Sequence, residues 1–245
     1  MTASTQETTS ARMELMNELE RRYGGSGAQQ SRLWRKRVAY AATVDGARKL
    51  KRAADVVLSA SALATLWPVF GAVALAIKVT DNGPALFWQP RVGRFGREFP
   101  FPKFRSMVAN AEALKDKLVA QSEHADSRTF KMKKDPRVTW IGRLIRKASI
   151  DELPQLWCVL RGDMSLVGPR PPVPREVAQY TLADRRRLEV TPGLTCIWQV
   201  SGRGDIPFPE QVKLDVQYIE SQSLWMDLKL LAATIPAVLL GKGAY

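Results

Sequence analysis

The apolar run from Val56 to Ile77 contains no charged residue and constrains this chain more than any other feature. Its length suffices to cross the hydrocarbon core of a bilayer as a helix, which takes about 20 residues. Pro68 lies near its middle, where a proline removes a backbone hydrogen bond and kinks or breaks a helix. The run therefore predicts a membrane segment with a break at Pro68.

Basic residues flank this run on both sides, and such residues mark the cytoplasmic end of a membrane segment. They are Arg48, Lys49, Lys51 and Arg52 before it, and Lys78, Arg91, Arg94 and Arg97 after it. Both ends thus favour the same side, which a helix–break–helix that enters one leaflet and returns would satisfy. We predict this re-entrant form; a single span and a buried hairpin of a soluble protein are the alternatives.

The whole sequence predicts an α+β, predominantly helical fold in a monotopic membrane protein. Residues 1–46 are an N-terminal extension, expected to be mobile or interfacial, and residues 47–80 are the re-entrant helix. Residues 81–245 form a globular domain. No long apolar stretch occurs before Leu50, so we expect no secretory signal peptide and place the domain on the cytoplasmic face.

Local patterns predict the elements of the globular domain. A turn signal at 81–84 precedes a hairpin with strands at 85–89 and 97–101. Helices are predicted at 107–120, 153–161, 173–189 and 209–221. The apolar stretch from 224 to 240 predicts a last helix that either lies at the membrane interface or packs into the core.

The charge of the chain favours polyanionic partners. Its formal net charge is +13, with a pI near 10.0, which suits nucleic acid, anionic lipid headgroups or a phosphorylated substrate. One histidine and two cysteines are too few for the metal clusters built on those residues. No Walker A or dinucleotide-binding glycine motif occurs.

A polar cassette from Arg146 to Leu156 contains two adjacent acids, Asp151 and Glu152. One interpretation is local: Ser149 and Glu152 have the spacing of a capping box, or Asp151 caps a helix whose first turn contains Pro154. The other interpretation is chemical, because arginines lie near these acids and in glycine- and proline-rich loops downstream. Both interpretations stay open at this point.

The arginines that support the chemical interpretation are Arg146, Arg170 and Arg203. A guanidinium matches the geometry of phosphate oxygens, and Mg²⁺ is commonly held by one or two carboxylates plus substrate phosphates. Carboxylates among arginines therefore predict a site for a diphosphate and a divalent cation. An aspartate in such a site can attack phosphorus and form an aspartyl-phosphate.

Ordered motifs occur along most of the chain, from about Leu50 to Tyr245. They are Lys51-Arg52-x-x-Asp55, Lys103-Phe104-Arg105-Ser106-Met107, Asp135-Pro136-Arg137-Val138-Thr139, Arg146-Lys147-x-Ser149-x-Asp151-Glu152-Leu153-Pro154-Gln155-Leu156, Gly162-Asp163-Met164-Ser165, Gly168-Pro169-Arg170-Pro171, Pro192-Gly193-Leu194-Thr195 and Gln199-Val200-Ser201-Gly202-Arg203. In this order they resemble the bacterial sugar transferase family, the monotopic phosphoglycosyl transferases.

The resemblance implies transfer of a sugar-1-phosphate, with a hexose preferred, from a UDP-sugar to polyprenyl (undecaprenyl) phosphate with release of UMP. It implies an enzyme on the cytoplasmic face of the bacterial inner membrane that starts exopolysaccharide or glycoconjugate synthesis. Mg²⁺ is the implied cofactor. The implied partners are a UDP-sugar, polyprenyl phosphate and anionic membrane lipids, with a homodimer also possible.

The resemblance also implies roles for single residues. Asp151 would be the nucleophile that forms a covalent phosphosugar intermediate, Glu152 would assist, and both would bind the metal ion. Phosphate or nucleotide binding would fall to Arg146, Arg170, Arg203, Lys103 and Arg105. Pro68 would be the membrane break, and Lys51 and Arg52 would lie at the membrane boundary.

The residues alone leave a different class of protein open: a membrane-tethered basic scaffold or nucleic-acid-binding protein without catalysis. The basic residues of this chain, however, are dispersed among Gly/Pro loops and carboxylates, and the sequence contains no recognisable module that reads a nucleic-acid groove. We therefore expect no nucleic-acid partner.

Overall fold

A computed structural model describes residues 27–108 and 135–240, together with the isolated positions 14, 17, 18, 110, 111, 113 and 114. Contacts divide the chain into two compact units, Met1–Leu50 and Lys51–Tyr245. In the first unit the backbone is helical from Gly27 onward. The second unit carries the remaining elements and is described from here on.

Helix α1 (Gly27–Asp81) includes Pro68. Its portion Gly46–Thr80 is long and apolar enough to cross a membrane, and only 6% of the most apolar window is buried within the protein. The structure has one helical element where two were predicted, since the helical backbone continues through the proline. A proline can bend a helix without ending it, so the re-entrant course stays a prediction.

Helix α1 packs against its own unit on both sides of Pro68. Its buried side chains include Asp55, Ser59, Val73 and Ile77. Between the two contact regions Trp67 is 69% exposed. Leu63 and Phe70, on either side of the proline, also pack against the domain. The helix is therefore docked before and after Pro68, and its Trp67 side faces outward.

Strands β1 (Leu86–Val92) and β2 (Glu98–Phe104) form an antiparallel hairpin. Its turn contains Phe95 and Gly96, both with left-handed backbone (φ 57° and 81°). Glycine adopts this conformation without steric cost. The predicted hairpin is confirmed, and both strands extend further than predicted.

Helix α2 (Trp140–Lys147) begins where Thr139 Oγ1 accepts a hydrogen bond from Gly142 N at 3.0 Å. Such a cap satisfies an N–H that has no partner within the helix. A 3₁₀ helix, Ile150–Gln155, follows and leads into α3 (Leu156–Arg161). The helix predicted at 153–161 is therefore 3₁₀ in its first part and α-helical in the rest.

Strands β3 (Ser165–Val167) and β4 (Gly193–Thr195) form a parallel pair that the sequence did not predict. Each has three residues, too few to show the alternating pattern of a strand. A Cβ at Gly193 would lie 2.0 Å from the backbone nitrogen of Gly168. The two backbones can approach this closely only because Gly193 has no side chain.

The remaining elements are α4 (Pro174–Val177), a 3₁₀ helix Asp184–Leu188, α5 (Ile197–Ser201), a 3₁₀ helix Arg203–Asp205, α6 (Phe208–Ser221) and α7 (Leu224–Leu240). The helices predicted at 209–221 and 224–240 are confirmed. The helix predicted at 107–120 lies largely outside the described residues.

The prediction of one helix over 173–189 is wrong. Asp184 Oδ2 accepts hydrogen bonds from the backbone nitrogen and the hydroxyl of Thr181, both at 2.9 Å. Side-chain bonds of this kind offer the backbone a turn in place of a helix. The segment therefore forms α4, a turn and a short 3₁₀ helix.

The main core draws its side chains from β2, α3, β3, α6, α7 and the segments between them. They are Phe99, Phe101, Leu156, Cys158, Val159, Met164, Leu166, Val167, Tyr218 and Leu230. Helix α7 buries Leu230 in this core but exposes Trp225, Leu228 and Ile235. One face of α7 is thus a core face, and its outer face is apolar, as an interfacial helix requires.

Candidate active site

The two acids of the polar cassette lie in the 3₁₀ helix Ile150–Gln155. Ser149, just before it, has left-handed backbone (φ 54°), and its side chain makes no capping hydrogen bond. Asp151 is inside the helix rather than at its N-cap. Both capping interpretations are therefore wrong, and the carboxylates of Asp151 and Glu152 are available for other contacts.

Glu152 is held by two cations. Arg170 Nη2 donates to Oε1 at 2.5 Å and Nη1 donates to Oε2 at 3.1 Å, while Lys103 Nζ donates to Oε1 at 2.8 Å. Burial acts to raise the pKa of Glu152, but Arg170 and Lys103 outweigh it and hold the pKa well below its usual range. Glu152 is therefore an ionised carboxylate whose charge is already paired.

Asp151 is 7% exposed, and no described residue donates a hydrogen bond to its carboxylate. Burial raises the pKa of Asp151 to about 6, while the charges of Lys103, Arg146 and Arg170 act in the opposite direction. A buried, unpaired carboxylate next to cations is a group whose lone pairs are available to a substrate or a metal ion. The neighbouring acids thus differ both in their contacts and in the direction of their pKa shifts.

Arg146 reaches this region from the last turn of α2. Its Nε donates to Ser106 Oγ at 2.8 Å, and Ser106 is buried just after β2. Burial lowers the pKa of Arg146, and the charge of Asp151 is the largest effect in the other direction. Ser106 was not predicted as a site residue, although it lies in the motif that also contains Lys103.

The structure therefore brings together five predicted site residues: Lys103, Arg146, Asp151, Glu152 and Arg170. They come from β2, α2, the 3₁₀ helix and the loop after β3. The sequence separation between Lys103 and Arg170 shows that the fold, rather than local order, builds this cluster.

Arg105 and Arg203 are not joined to this cluster by any described hydrogen bond or ion pair. Arg105 is buried, and its guanidinium lies against Gly83, where a Cβ would be 1.8 Å from Arg105 Nη1. Arg203 begins the 3₁₀ helix Arg203–Asp205 with left-handed backbone (φ 53°). Their predicted role in substrate binding stays a prediction.

Lys51 lies where α1 enters the second unit. Its Nζ donates to Asp227 Oδ2 at 2.6 Å and to the carbonyl of Val167 at 3.3 Å. Asp227 also accepts a hydrogen bond from Tyr218 Oη at 2.7 Å. The motif residue Lys51 is thus part of a buried polar contact that ties α1 to α6, α7 and β3.

Arg52 and Asp55 dock the next turn of α1. Arg52 donates to the carbonyls of Val159 and Leu160, at 2.6 and 2.7 Å, near the C-terminal end of α3. Asp55 Oδ1 accepts a hydrogen bond from Leu166 N at 3.1 Å. The motif therefore fixes α1 to the domain, and its place at the membrane boundary stays a prediction.

No group of three or more Asp, Glu, His or Cys side chains capable of holding a metal ion occurs among the described residues. The two acids nevertheless suit Mg²⁺, which usually needs only one or two carboxylates when phosphates supply further oxygens. Asp151 has an unpaired carboxylate, and Glu152 Oε2 accepts only one hydrogen bond from a described residue. The donor set fits an ion that arrives with a phosphorylated substrate.

The fold and the site together define a class of protein: an apolar, membrane-type helix docked on a domain whose buried carboxylates lie among arginines and a lysine. The model of one family, bacterial sugar transferase, matches residues 46–241. The chain belongs to the bacterial sugar transferase family, as its motifs predict.

Several curated relatives are similar over most of this chain. A galactosyl transferase CpsE of Streptococcus agalactiae is 53% identical over 67% of the chain and 36% of its own length. An undecaprenyl-phosphate galactose phosphotransferase of Salmonella typhimurium is 46% identical over 81% of the chain and 42% of its own length. The exopolysaccharide production protein ExoY of Sinorhizobium fredii is 41% identical over 80% of the chain and 88% of its own length. The chain thus spans about two fifths of the first two relatives and most of ExoY.

Proposed function

We propose that this chain transfers a hexose-1-phosphate from a UDP-sugar to polyprenyl (undecaprenyl) phosphate and releases UMP. Family membership and the names of the relatives support a sugar-phosphate transferase that acts on a polyprenyl carrier in exopolysaccharide synthesis. Two of the three relatives are named for galactose, so UDP-galactose is the first donor to test, followed by UDP-glucose.

The observation that carries this proposal is the contrast between the two acids. Glu152 is paired with Arg170 and Lys103, whereas Asp151 is buried and unpaired among the described residues. A nucleophilic carboxylate must keep its lone pairs free for phosphorus, and the neighbouring cations attract the phosphates of a donor. Asp151 therefore serves as the nucleophile.

The reaction has two balanced steps. An Asp151 oxygen attacks the phosphorus that bears the sugar, forms an aspartyl–phosphorus bond and breaks the bond to the bridging oxygen, which leaves with UMP. An oxygen of polyprenyl phosphate then attacks the same phosphorus and breaks the aspartyl bond. The products are the polyprenyl diphosphate sugar and the regenerated carboxylate.

The cations of the site stabilise the negative charge that develops in the transition states of both steps. Arg170 and Lys103 lie at Glu152, next to Asp151, and Arg146 approaches from α2. Donors fixed in advance around a developing charge stabilise a transition state more than water does. When bound, Mg²⁺ would be held by Asp151 and Glu152 and would neutralise part of the phosphate charge.

The docking of α1 supports the re-entrant form of the membrane helix. Helix residues on both sides of Pro68 are buried against the same unit, and Trp67 between them is exposed. A helix whose two ends contact one domain has both ends on one side of the bilayer. The protein would then lie on the cytoplasmic face with its site at the level of the lipid phosphates.

The activity is tested with the full chain in bilayer nanodiscs by measuring UMP release. We expect release only when a UDP-sugar, polyprenyl phosphate and Mg²⁺ are all present, and its loss after removal of Mg²⁺. Asp151→Asn should reduce the rate to background, whereas Glu210→Gln, at an exposed position in α6, should leave it unchanged. Equal rates in the Asp151 variant and the wild type would refute the proposed nucleophile.

A further inference from the structure

The hairpin places Arg91 at the site, although the sequence predicted it only as one of the basic residues that flank the apolar run. We propose that Arg91 is a positioning residue that holds the loop carrying Arg170 and adds positive charge for the diphosphate of the donor. The proposal rests on the proposed function for the identity of the donor, but its test is independent of turnover.

Arg91 binds the Pro-Arg-Pro loop directly. Its Nη1 donates to the carbonyl of Pro171 at 2.9 Å, and the next residue, Val92, donates its backbone N–H to the carbonyl of Pro172 at 2.9 Å. Two consecutive residues of β1 thus hold the two residues that follow Arg170. A displaced loop would change where the Arg170 guanidinium meets Glu152 and a phosphate.

Arg91 is itself fixed by two groups of the hairpin. Its Nη2 donates to Gln89 Oε1 at 3.2 Å, and its guanidinium carbon lies 5.1 Å from the centre of the Phe101 ring. The same ring has Lys103 Nζ at 5.5 Å. Arg91 and Lys103 thus both contact the Phe101 ring at the edge of the site. Contact with an aromatic ring stabilises a cation.

No acid among the described residues forms an ion pair with Arg91, although Glu176 and Glu152 are near enough to act on its charge. The hydrogen bonds of Arg91 to described residues go to a carbonyl and an amide oxygen, and its Nε is buried without a partner among them. Burial lowers the pKa of Arg91 to about 10, and the charge of Arg170 adds to this effect. A cation in this state is stabilised by an added anion.

The four cations of the site together also exceed the acids that act on them. We call Arg91, Lys103, Arg146 and Arg170 the cation cluster; the acids Asp151, Glu152 and Glu176 act on its four charges. The remaining positive charge favours a diphosphate. Without Arg91 the cations and the acids of this group would be equal in number.

A purely structural role for Arg91 would affect folding but not anion affinity. The test therefore measures binding of inorganic pyrophosphate to the full chain in nanodiscs by calorimetry, with thermal unfolding recorded in parallel. We expect Arg91→Gln to weaken pyrophosphate binding about tenfold or more, the loss typical of a hydrogen-bonded charged group. Arg97→Gln, on the exposed turn of the same hairpin, is the matched control and should bind as the wild type does.

Arg91→Lys separates charge from geometry. Lysine keeps the charge but lacks the fork that reaches Pro171 and Gln89 together, so its affinity should lie between those of the wild type and Arg91→Gln. Wild-type affinity in a folded Arg91→Gln would overturn the proposal. If that variant does not fold, Arg91→Lys decides: a loss of about threefold or more supports the proposal, and wild-type affinity overturns it.

The outcome of the pyrophosphate-binding test does not depend on whether the protein has transferase activity. If the wild type binds pyrophosphate but releases no UMP from any donor, the proposed function fails and the comparison of Arg91 variants still stands. If the wild type is active, the Arg91→Gln loss should appear mainly as a higher KM for the donor. A lower kcat with unchanged KM in both Arg91 variants would indicate a structural role and contradict the proposal.

Discussion

Arg170 contacts both carboxylate oxygens of Glu152, at 2.5 and 3.1 Å, and so pairs the acid that stands next to Asp151 in the chain. The two adjacent acids therefore have pKa values shifted in opposite directions. Glu152 stays ionised with a lowered pKa, while burial raises the pKa of Asp151 to about 6. Neighbouring carboxylates with divergent pKa values are typical of reaction centres.

Removing the charge of Glu152 should destabilise the protein. Glu152→Gln keeps the volume of the side chain but leaves Arg170 and Lys103 without their acid, and breaking a buried pair costs about 3–5 kcal/mol. Because all three side chains are about one fifth exposed, we expect a smaller loss of about 2 kcal/mol after solvent screening. The measurement is urea or thermal unfolding in detergent.

Glu210→Gln is the matched control for that substitution. It removes the same charge from an exposed pair with Lys213, three residues along α6. Exposed pairs contribute about 0–1 kcal/mol, so this variant should unfold like the wild type. Equal destabilisation by the two substitutions would contradict the account of Glu152.

The Asp55 contact should stabilise the docking of α1. Asp55→Ala leaves the buried N–H of Leu166 without its acceptor, and an unsatisfied buried donor costs about 1–3 kcal/mol. Ser61→Ala, at an exposed position on the same helix, should change the unfolding free energy by less than about 0.5 kcal/mol. Comparable unfolding midpoints for both variants would show that the hydrogen bond to Leu166 contributes little.

Gly193 should tolerate no side chain. Gly193→Ala would place a Cβ 2.0 Å from Gly168 N and separate β4 from the loop that leads to Arg170. We expect loss of activity and a destabilisation of about 3 kcal/mol, in the range of severe packing conflicts. Gly71→Ala has no atom within 4 Å of the new Cβ and lies in helix α1, so it should be neutral or stabilising by up to about 1 kcal/mol.

The Gly193 prediction is checked by unfolding and UMP release on both variants. If Gly193→Ala were as stable and as active as Gly71→Ala, the close approach of β4 to Gly168 would not be needed for the site.

Asp215 should make stability depend on pH. Asp215 is fully buried beside Arg187, with 2.6 Å between Arg187 Nη2 and Asp215 Oδ2. Burial raises the pKa of Asp215 from 3.8 to about 6, although the charge of Arg187 acts to lower it. Between these values the folded state binds a proton that the unfolded state does not. This contribution to stability is therefore largest at low pH and is lost as the pH rises through about 6.

The expected change follows from the linkage between proton binding and folding. Each pKa unit corresponds to about 1.4 kcal/mol, so the stability of the wild type relative to Asp215→Asn should fall by about 3 kcal/mol at most from pH 4 to pH 7. Thermal unfolding of both proteins across this range provides the comparison. A difference that rises with pH would mean that Arg187 lowers the pKa of Asp215 in the folded protein.

The sequence predicted the elements that have a repeated pattern or strong turn residues. The hairpin, helix α6 and helix α7 follow from such patterns, and the cassette around Asp151 was recognised through the spacing of its motifs. The parallel pair β3–β4 was not predicted because three-residue strands carry no period. A local rule also failed at Ser149, where the spacing of a capping box was present but tertiary contacts took Glu152 to Arg170 instead.

The contacts of the site join residues that are far apart in the sequence, so no local pattern of residues predicts them. Lys103 and Glu152 meet because β2 packs against the 3₁₀ helix, and Arg91 reaches Pro171 across the hairpin edge. Likewise, the contacts of Lys51 and Arg52 with carbonyls and a carboxylate were not predicted, and the position of these residues at the membrane boundary, which the resemblance implies, stays a prediction.

The course of α1 can be measured with single added cysteines, because Cys158 and Cys196 are buried. We expect Lys49→Cys and Lys78→Cys to react with a membrane-impermeant reagent from the same, cytoplasmic side, since both ends of the apolar segment flank contacts with one domain. Both side chains are exposed within the protein. Labelling from opposite sides would exclude the re-entrant form and indicate a membrane span.

The most direct test of the central claim is detection of the covalent intermediate on Asp151. The full chain in nanodiscs is incubated with the UDP-sugar that supports UMP release, without polyprenyl phosphate, and the intact protein is weighed by mass spectrometry. We expect added mass equal to one sugar phosphate, located on the peptide containing Asp151, lost when polyprenyl phosphate is added and absent in Asp151→Asn. The same adduct in Asp151→Asn, or undiminished UMP release by that variant, would contradict the account.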